Sequence, residues 1–282
     1  MAAPAAPILT RKIPRSGEPL PAVGLGTWQT FDVGEGAAER APLSEVLRRL
    51  AAGGGKLVDS SPMYGRAESV VGDLASAAAL RDRLFLATKV WTTGRAAGEA
   101  QMQESMRRLH AGDRLDLMQI HNLLDWQTHL PVLRRWKEQG RFRYIGITHY
   151  QLSAFGEIER LLRTEKLDFV QLPYSIGVRE AERRLLPAAA ETGTAVIVMR
   201  PFEAGALFGK IRSTPLPPWA AELDARSWAQ FFLKFILAHP AVTCAIPATN
   251  KPEHAVDNLG AALGRLPAEA QRRKMIEWLN LG

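Results

Sequence analysis

The chain alternates. Eight short apolar runs take turns with eight helix-like stretches along 282 residues. The runs are 22–26 (AVGLG), 56–59 (KLVD), 84–88 (LFLAT), 115–120 (LDLMQI), 143–147 (RYIGI), 168–172 (DFVQL), 195–199 (AVIVM) and 242–246 (VTCAI). Several are continuous and rich in Val, Ile and Leu, as strands covered on both faces must be. Helices are expected over 38–52, 66–79, 97–110, 128–139, 151–164, 180–192, 226–238 and 252–263. Gly53, Gly112, Gly140 and Gly193 stand near their ends, where helices commonly stop. Eight strand-then-helix units predict an α/β fold of the (β/α)8 TIM-barrel type. The competing architecture is a doubly wound sheet, but "GLGTWQ" at 24–29 lacks the third glycine of a dinucleotide fingerprint.

Two pieces flank the repeat. Residues 8–20 hold an "RSGEPL" turn between short runs and suggest an N-terminal β-hairpin capping the barrel floor. Residues 266–280 read as an extra C-terminal amphipathic helix. No Gly/Ser/Pro linker divides the chain, so 1–282 is read as a single barrel domain, with 1–7 (MAAPAAP) a disordered lead. That lead has no apolar h-region and is not an intact signal peptide, although a trimmed one stays open. No run of about eighteen apolar residues is present, so a soluble, cytoplasmic protein without a membrane span is expected. The one cysteine, Cys244, rules out an internal disulfide and a Cys-based zinc site; it reads as a small core residue. No metal is expected. The net charge is +7, but the basic residues are scattered and form no stripe with aromatics. Nucleic acid is therefore not an expected partner, whereas an anionic cofactor fits. A monomer is favoured.

Chemistry in such a barrel gathers at the C-terminal ends of the strands. Asp59 ends the second run, Tyr64 follows in "VDSSPMYG", Lys89 ends the third and His121 the fourth. Singly, each has an ordinary role: a turn cap, a packed ring, a solvated charge, a hydrogen-bonded imidazole. Together, on three consecutive strand ends, they point to one site. A phenol titrates near 10, and a neighbouring ammonium is expected to lower that value. Asp59 would fix Lys89, and the imidazole would orient a carbonyl. That is a general acid suited to carbonyl reduction, with hydride from a nicotinamide. Motifs of zinc proteases, P-loops and serine hydrolases are absent. A Schiff-base lyase on Lys89 is the weaker alternative.

These blocks resemble the aldo-keto reductase family, from "GLGTW" at 24–28 to "IPATNKPEHAVDN" at 246–258. The resemblance implies Tyr64 as general acid/base, helped by Lys89 and Asp59, with His121 orienting the carbonyl. It implies Gly26, Thr27 and Trp28 beside the nicotinamide. Thr148 and His149 stand where many members have a Ser-Asn pair for the carboxamide, and Gln171 is the third such contact. Met199 takes a position where an aromatic ring often stacks, and Arg200, Pro201 and Phe202 follow it. For the adenosine end the resemblance implies Thr249, Asn250, Lys251, His254 and Asn258. Ala248 and His254 replace a Lys and an Arg common in NADPH-selective members, and NADPH is still favoured over NADH on the basic charge. Trp28, Trp91 and Trp126 are expected to wall the substrate pocket. The chain ends soon after its last helix, so a comparatively open site for small or planar carbonyls is expected. A non-catalytic, cofactor-sensing regulatory subunit of the same fold is the alternative function.

Overall fold

Side chains on a strand alternate between two faces, and in a barrel one face looks inward and the other toward the helices. That parity organises the whole molecule. The computed structural model describes residues 8–280; the expected lead at 1–7 lies outside the described residues. β1 (Thr10–Lys12) and β2 (Pro19–Pro21) form an antiparallel hairpin. Then follow β3 (Leu25–Gly26), α1 (Ala37–Ala52), β4 (Leu57–Asp59), α2 (Ala67–Ala77), β5 (Phe85–Val90) and α3 (Arg95–Arg108). β6 (Leu115–His121), α4 (Trp126–Glu138), β7 (Phe142–Thr148), α5 (Phe155–Thr164), β8 (Phe169–Pro173) and α6 (Leu185–Thr192) continue the alternation. β9 (Ala195–Met199), α7 (Ala206–Lys210), α8 (Trp228–Leu237), β10 (Val242–Ala245), α9 (Pro252–Gly260) and α10 (Glu269–Trp278) complete it. Strands β3 to β10 pair in chain order, all parallel. Bridges Val23↔Ala245 and Gly26↔Ala248 join the first to the last, giving the expected barrel.

Leu57, Phe85, Leu117, Tyr144, Phe169, Ala195, Ile197, Cys244 and Ile246 fill the interior, so Cys244 is the core residue expected. Their neighbours Val58, Leu86, Met118, Ile145, Val170 and Val196 face the helices. Met102, Met106 and Leu109 supply the buried side of α3. Ile13 and Leu20 of the hairpin join the interior cluster and stopper the floor. Glu18 locks the stopper: it pairs with Arg143 and accepts the Tyr144 hydroxyl at 2.5 Å.

The differences from expectation have local causes. The stretch 151–164 starts with a 3-10 turn, Leu152–Ala154, before α5. The stretch 180–192 breaks at Arg184 (φ −137°, ψ −52°) into a 3-10 turn and α6. The first strand shrinks to Leu25–Gly26, and the last helix to Glu269–Trp278. Between β9 and α8 lie α7 and a 3-10 helix at Pro218–Leu223, in a Gly- and Pro-bearing stretch with no clear period.

Candidate active site

Two residues above each inward apolar side chain stands another inward position, and near the C-terminal ends these become polar. Leu57 leads to Asp59, Phe85 through Ala87 to Lys89, and Leu117 to Gln119 and then His121. Tyr144 leads through Gly146 to Thr148, and Phe169 to Gln171. Register then sets them side by side: Lys89↔Gln119, His121↔Thr148 and Thr148↔Gln171.

Lys89 is wholly buried, and its Nζ donates to Asp59 Oδ2 at 2.6 Å and to the Ser60 carbonyl at 2.6 Å. Gln119 Nε2 donates to the other Asp59 oxygen at 3.1 Å. Burial alone would drive the ammonium pKa down, but Asp59 and then Tyr64 reverse this, and the net shift is upward. Lys89 therefore stays charged. Tyr64 sits in the turn after β4, its amide donating to the Ser61 carbonyl. The Lys89 ammonium lies 5.1 Å from the centre of its ring. The Tyr64 pKa is raised, not lowered as the sequence suggested. Burial is the largest cause; Lys89 opposes it, but Asp59 cancels part of that field. The phenol thus holds its proton at neutral pH.

The His121 ring meets Tyr64 edge-on, with centroids 5.8 Å apart. Burial, then the charge of Lys89, pushes its pKa down to about 2, so the imidazole is neutral. Ser61 Oγ lies 2.9 Å from His121 Nδ1. Trp91 stands beside His121 at 6.4 Å between ring centres, and Trp28 and Trp91 are 46% and 41% exposed, leaving an open rim. Trp126 is half-buried against the core, with the Arg160 guanidinium 5.4 Å from its ring.

The remaining candidates line the other side. At Gly26 a Cβ would come within 2.9 Å of the Ile246 carbonyl, so only glycine permits β3 to approach β10 this closely. Thr27 Oγ1 binds the Asp59 carbonyl at 3.0 Å and Ser60 Oγ at 3.1 Å. Thr148 Oγ1 donates to Gln171 Oε1 at 3.2 Å, while Gln171 Nε2 is buried without a partner among the described residues. His149 stacks on Tyr150, its Nδ1 accepting the Gln151 amide at 3.1 Å; burial lowers its pKa. Met199 borders the interior cluster. Arg200 has a positive φ of 54°, Pro201 is buried, and the Phe202 ring packs on Phe208 and Phe232 in the helix layer. Thr249 Oγ1 accepts the Lys251 amide at 3.1 Å. Asn250, Lys251 and His254 are exposed around the start of α9, and Asn258 is buried within it. Sequence reading does not single out Ser61 or Gln119. Gln119 was findable, being a polar residue two places before His121 on the same face of an apolar strand. Among the described residues no cluster of His, Cys, Asp or Glu is placed to hold a metal, and no helix is long and apolar enough to cross a membrane.

The profile of the aldo/keto reductase family matches residues 22–274. The chain belongs to this family. Among relatives of this aldo/keto reductase, methylglyoxal reductase YeaE of Escherichia coli (strain K12) is 30% identical over 246 residues, covering 85% of this chain and 84% of that one. The NADH-specific methylglyoxal reductase of the same organism is 29% identical over 231 residues, covering 69% and 68%. An aldo/keto reductase from Klebsiella pneumoniae, crystallised with NADP and acetate, superposes with a TM-score of 0.78 at 29% identity, covering 92% of this chain and 93% of that one. Family membership supports oxidoreduction of carbonyl compounds.

Proposed function

We propose that this chain reduces aldehydes or ketones to alcohols, with NADPH as cofactor and Tyr64 as proton donor. The observation that carries the proposal is the buried Lys89–Asp59 ion pair beside a protonated Tyr64 and a neutral His121. The donor set also fits a nicotinamide. Gln171 Nε2 is a buried donor lacking an acceptor, a state that costs about 1–3 kcal/mol. A carboxamide oxygen would satisfy it, with Thr148 and His149 adjacent. When bound, the reduced nicotinamide supplies the hydride.

The chain's own residues handle the proton. Tyr64 retains it until an oxygen develops charge beside it, then donates. Lys89, held charged by Asp59, stabilises the phenolate left behind. Gln119 steadies Asp59 from the far side. His121, being neutral, offers a hydrogen bond to the carbonyl oxygen without supplying a second titrating proton. A Schiff base on Lys89 is disfavoured, because a buried, paired ammonium is a poor nucleophile.

The methylglyoxal reductases among the relatives make a small 2-oxoaldehyde the first substrate to try. Lys251 and His254 at the exposed start of α9 are the groups for a 2′-phosphate, and they support NADPH. Fluorescence titration with both cofactors tests this; equal or tighter binding of NADH overturns it. Tyr64→Phe tests the core of the proposal. Turnover should fall roughly 10²- to 10⁴-fold while the cofactor Kd stays within about a factor of two. Activity kept within a few-fold removes Tyr64 from its role.

A further inference from the structure

We propose that Ser61 is the positioning residue that sets the His121 tautomer, donating its hydroxyl proton to Nδ1 and so leaving the ring's single N–H on Nε2. The inference rests on reading His121 as the group that hydrogen-bonds the substrate carbonyl.

The hydrogen-bond inventory of one buried hydroxyl carries it. Ser61 Oγ has two hydrogen bonds among the described residues: the Met63 amide at 3.3 Å and His121 Nδ1 at 2.9 Å. A hydroxyl has one proton to give and two lone pairs to accept with. The Met63 N–H takes one lone pair, and an amide N–H cannot accept. Nδ1 is therefore the only acceptor for the Ser61 proton. The reverse assignment, with Nδ1–H donating to Oγ, would leave a buried O–H with no acceptor.

The consequence falls on the other nitrogen. His121 is neutral, so it carries one N–H, and with Nδ1 accepting, that proton is on Nε2. Nε2 has no hydrogen-bond partner among the described residues, so its N–H is free to meet an oxygen. In the opposite tautomer Nε2 would present a lone pair to the carbonyl oxygen and repel it. The "VDSSPMYG" turn thereby steers both halves of the proton chemistry. The carbonyl of Ser60 holds Lys89, and the hydroxyl of Ser61 orients His121.

The test uses the full chain labelled with ¹⁵N-histidine, with the His121 signal assigned by its loss in His121→Asn. Wild type should show the Nε2–H pattern. In Ser61→Ala that pattern should shift toward mixed tautomers, and kcat on methylglyoxal should fall roughly tenfold, as expected for one lost orienting hydrogen bond. The NADPH Kd should stay unchanged. Ser61→Thr, which keeps the hydroxyl, should keep the wild-type pattern and most of kcat. An Nδ1–H pattern in wild type overturns the proposal. So does a Ser61→Ala protein that retains either the wild-type pattern or the wild-type kcat. The tautomer measurement needs no turnover, so a wild type inactive on all carbonyls defeats the proposed function while the spectrum still decides the role of Ser61.

Discussion

At the ends of β4, β5 and β6 the buried polar atoms are partnered, apart from Gln119 Oε1. At the ends of β7, β8 and β9 they are less so. Gln171 Nε2 has no partner among the described residues, Arg200 sits at positive φ, and Glu203 and Ala204 do likewise a few residues on. The first half is a network of charge and hydrogen bonds in which, among the described residues, His121 Nε2 and Gln119 Oε1 alone stay open. The second holds one buried donor without a partner among the described residues and a loop with three residues at positive φ. Under the proposed reading the contrast separates two tasks: groups that move a proton are preorganised, whereas groups that grip a ligand are completed by it.

The sharpest way to break the contrast is Lys89→Met. It leaves the Asp59 carboxylate buried and unpaired, at a cost of about 3–5 kcal/mol, and abolishes turnover. Adding Asp59→Asn should restore most of the stability and none of the activity. Urea denaturation with steady-state kinetics checks both; a stable single variant would mean that the pair does not hold the network. A smaller effect concerns pH. His121 has a depressed pKa in the fold, while the unfolded chain titrates near 6.5. The unfolded state thus binds the extra proton, and stability present above pH 6.5 is lost as the pH falls below it. The loss attributable to His121 at about pH 5 is about 2 kcal/mol, and His121→Asn should flatten the urea midpoint against pH by that amount.

On the other half, Gln171→Leu should weaken NADPH binding roughly tenfold, yet change the stability of the free protein by no more than about 1 kcal/mol, since it removes one buried orphan donor but takes the acceptor from the Thr148 hydroxyl. Titration and thermal melts in the absence of cofactor check this; a loss of more than about 2 kcal/mol in the free protein would show that Gln171 Nε2 is already satisfied. The smallest effect is expected for Lys251→Ala. As an exposed cation it should weaken NADPH binding by about 0.5–1 kcal/mol, with a dependence that vanishes at high salt, and leave NADH binding unaltered.

Much of this was legible in the sequence, for physical reasons. Strand β9 runs over the five residues read for it, 195–199, because a fully buried parallel strand has no polar residue to blur its edges. Asp59, Lys89 and His121 were findable because strand ends fall at predictable places. Tyr64 followed from its spacing. Depth was not legible: the direction of the Tyr64 pKa depends on how much burial outweighs a partly cancelled charge. Nor was Ser61, whose role appears only when a residue 60 positions away folds against it. Nor were the neighbours of Trp126 and Phe202 legible, since the Arg160 guanidinium and the Phe208 ring reach them from helices far along the chain or across a loop.

The stoppered floor has a kinetic consequence. Ile13 and Leu20 close one end, and packed side chains fill the interior, so the barrel is a cul-de-sac. Whatever reacts at Tyr64 therefore arrives and departs at the opposite, C-terminal end, where Trp28 and Trp91 are exposed. Under the proposed reading, cofactor and carbonyl share that end, and neither can be exchanged through the floor.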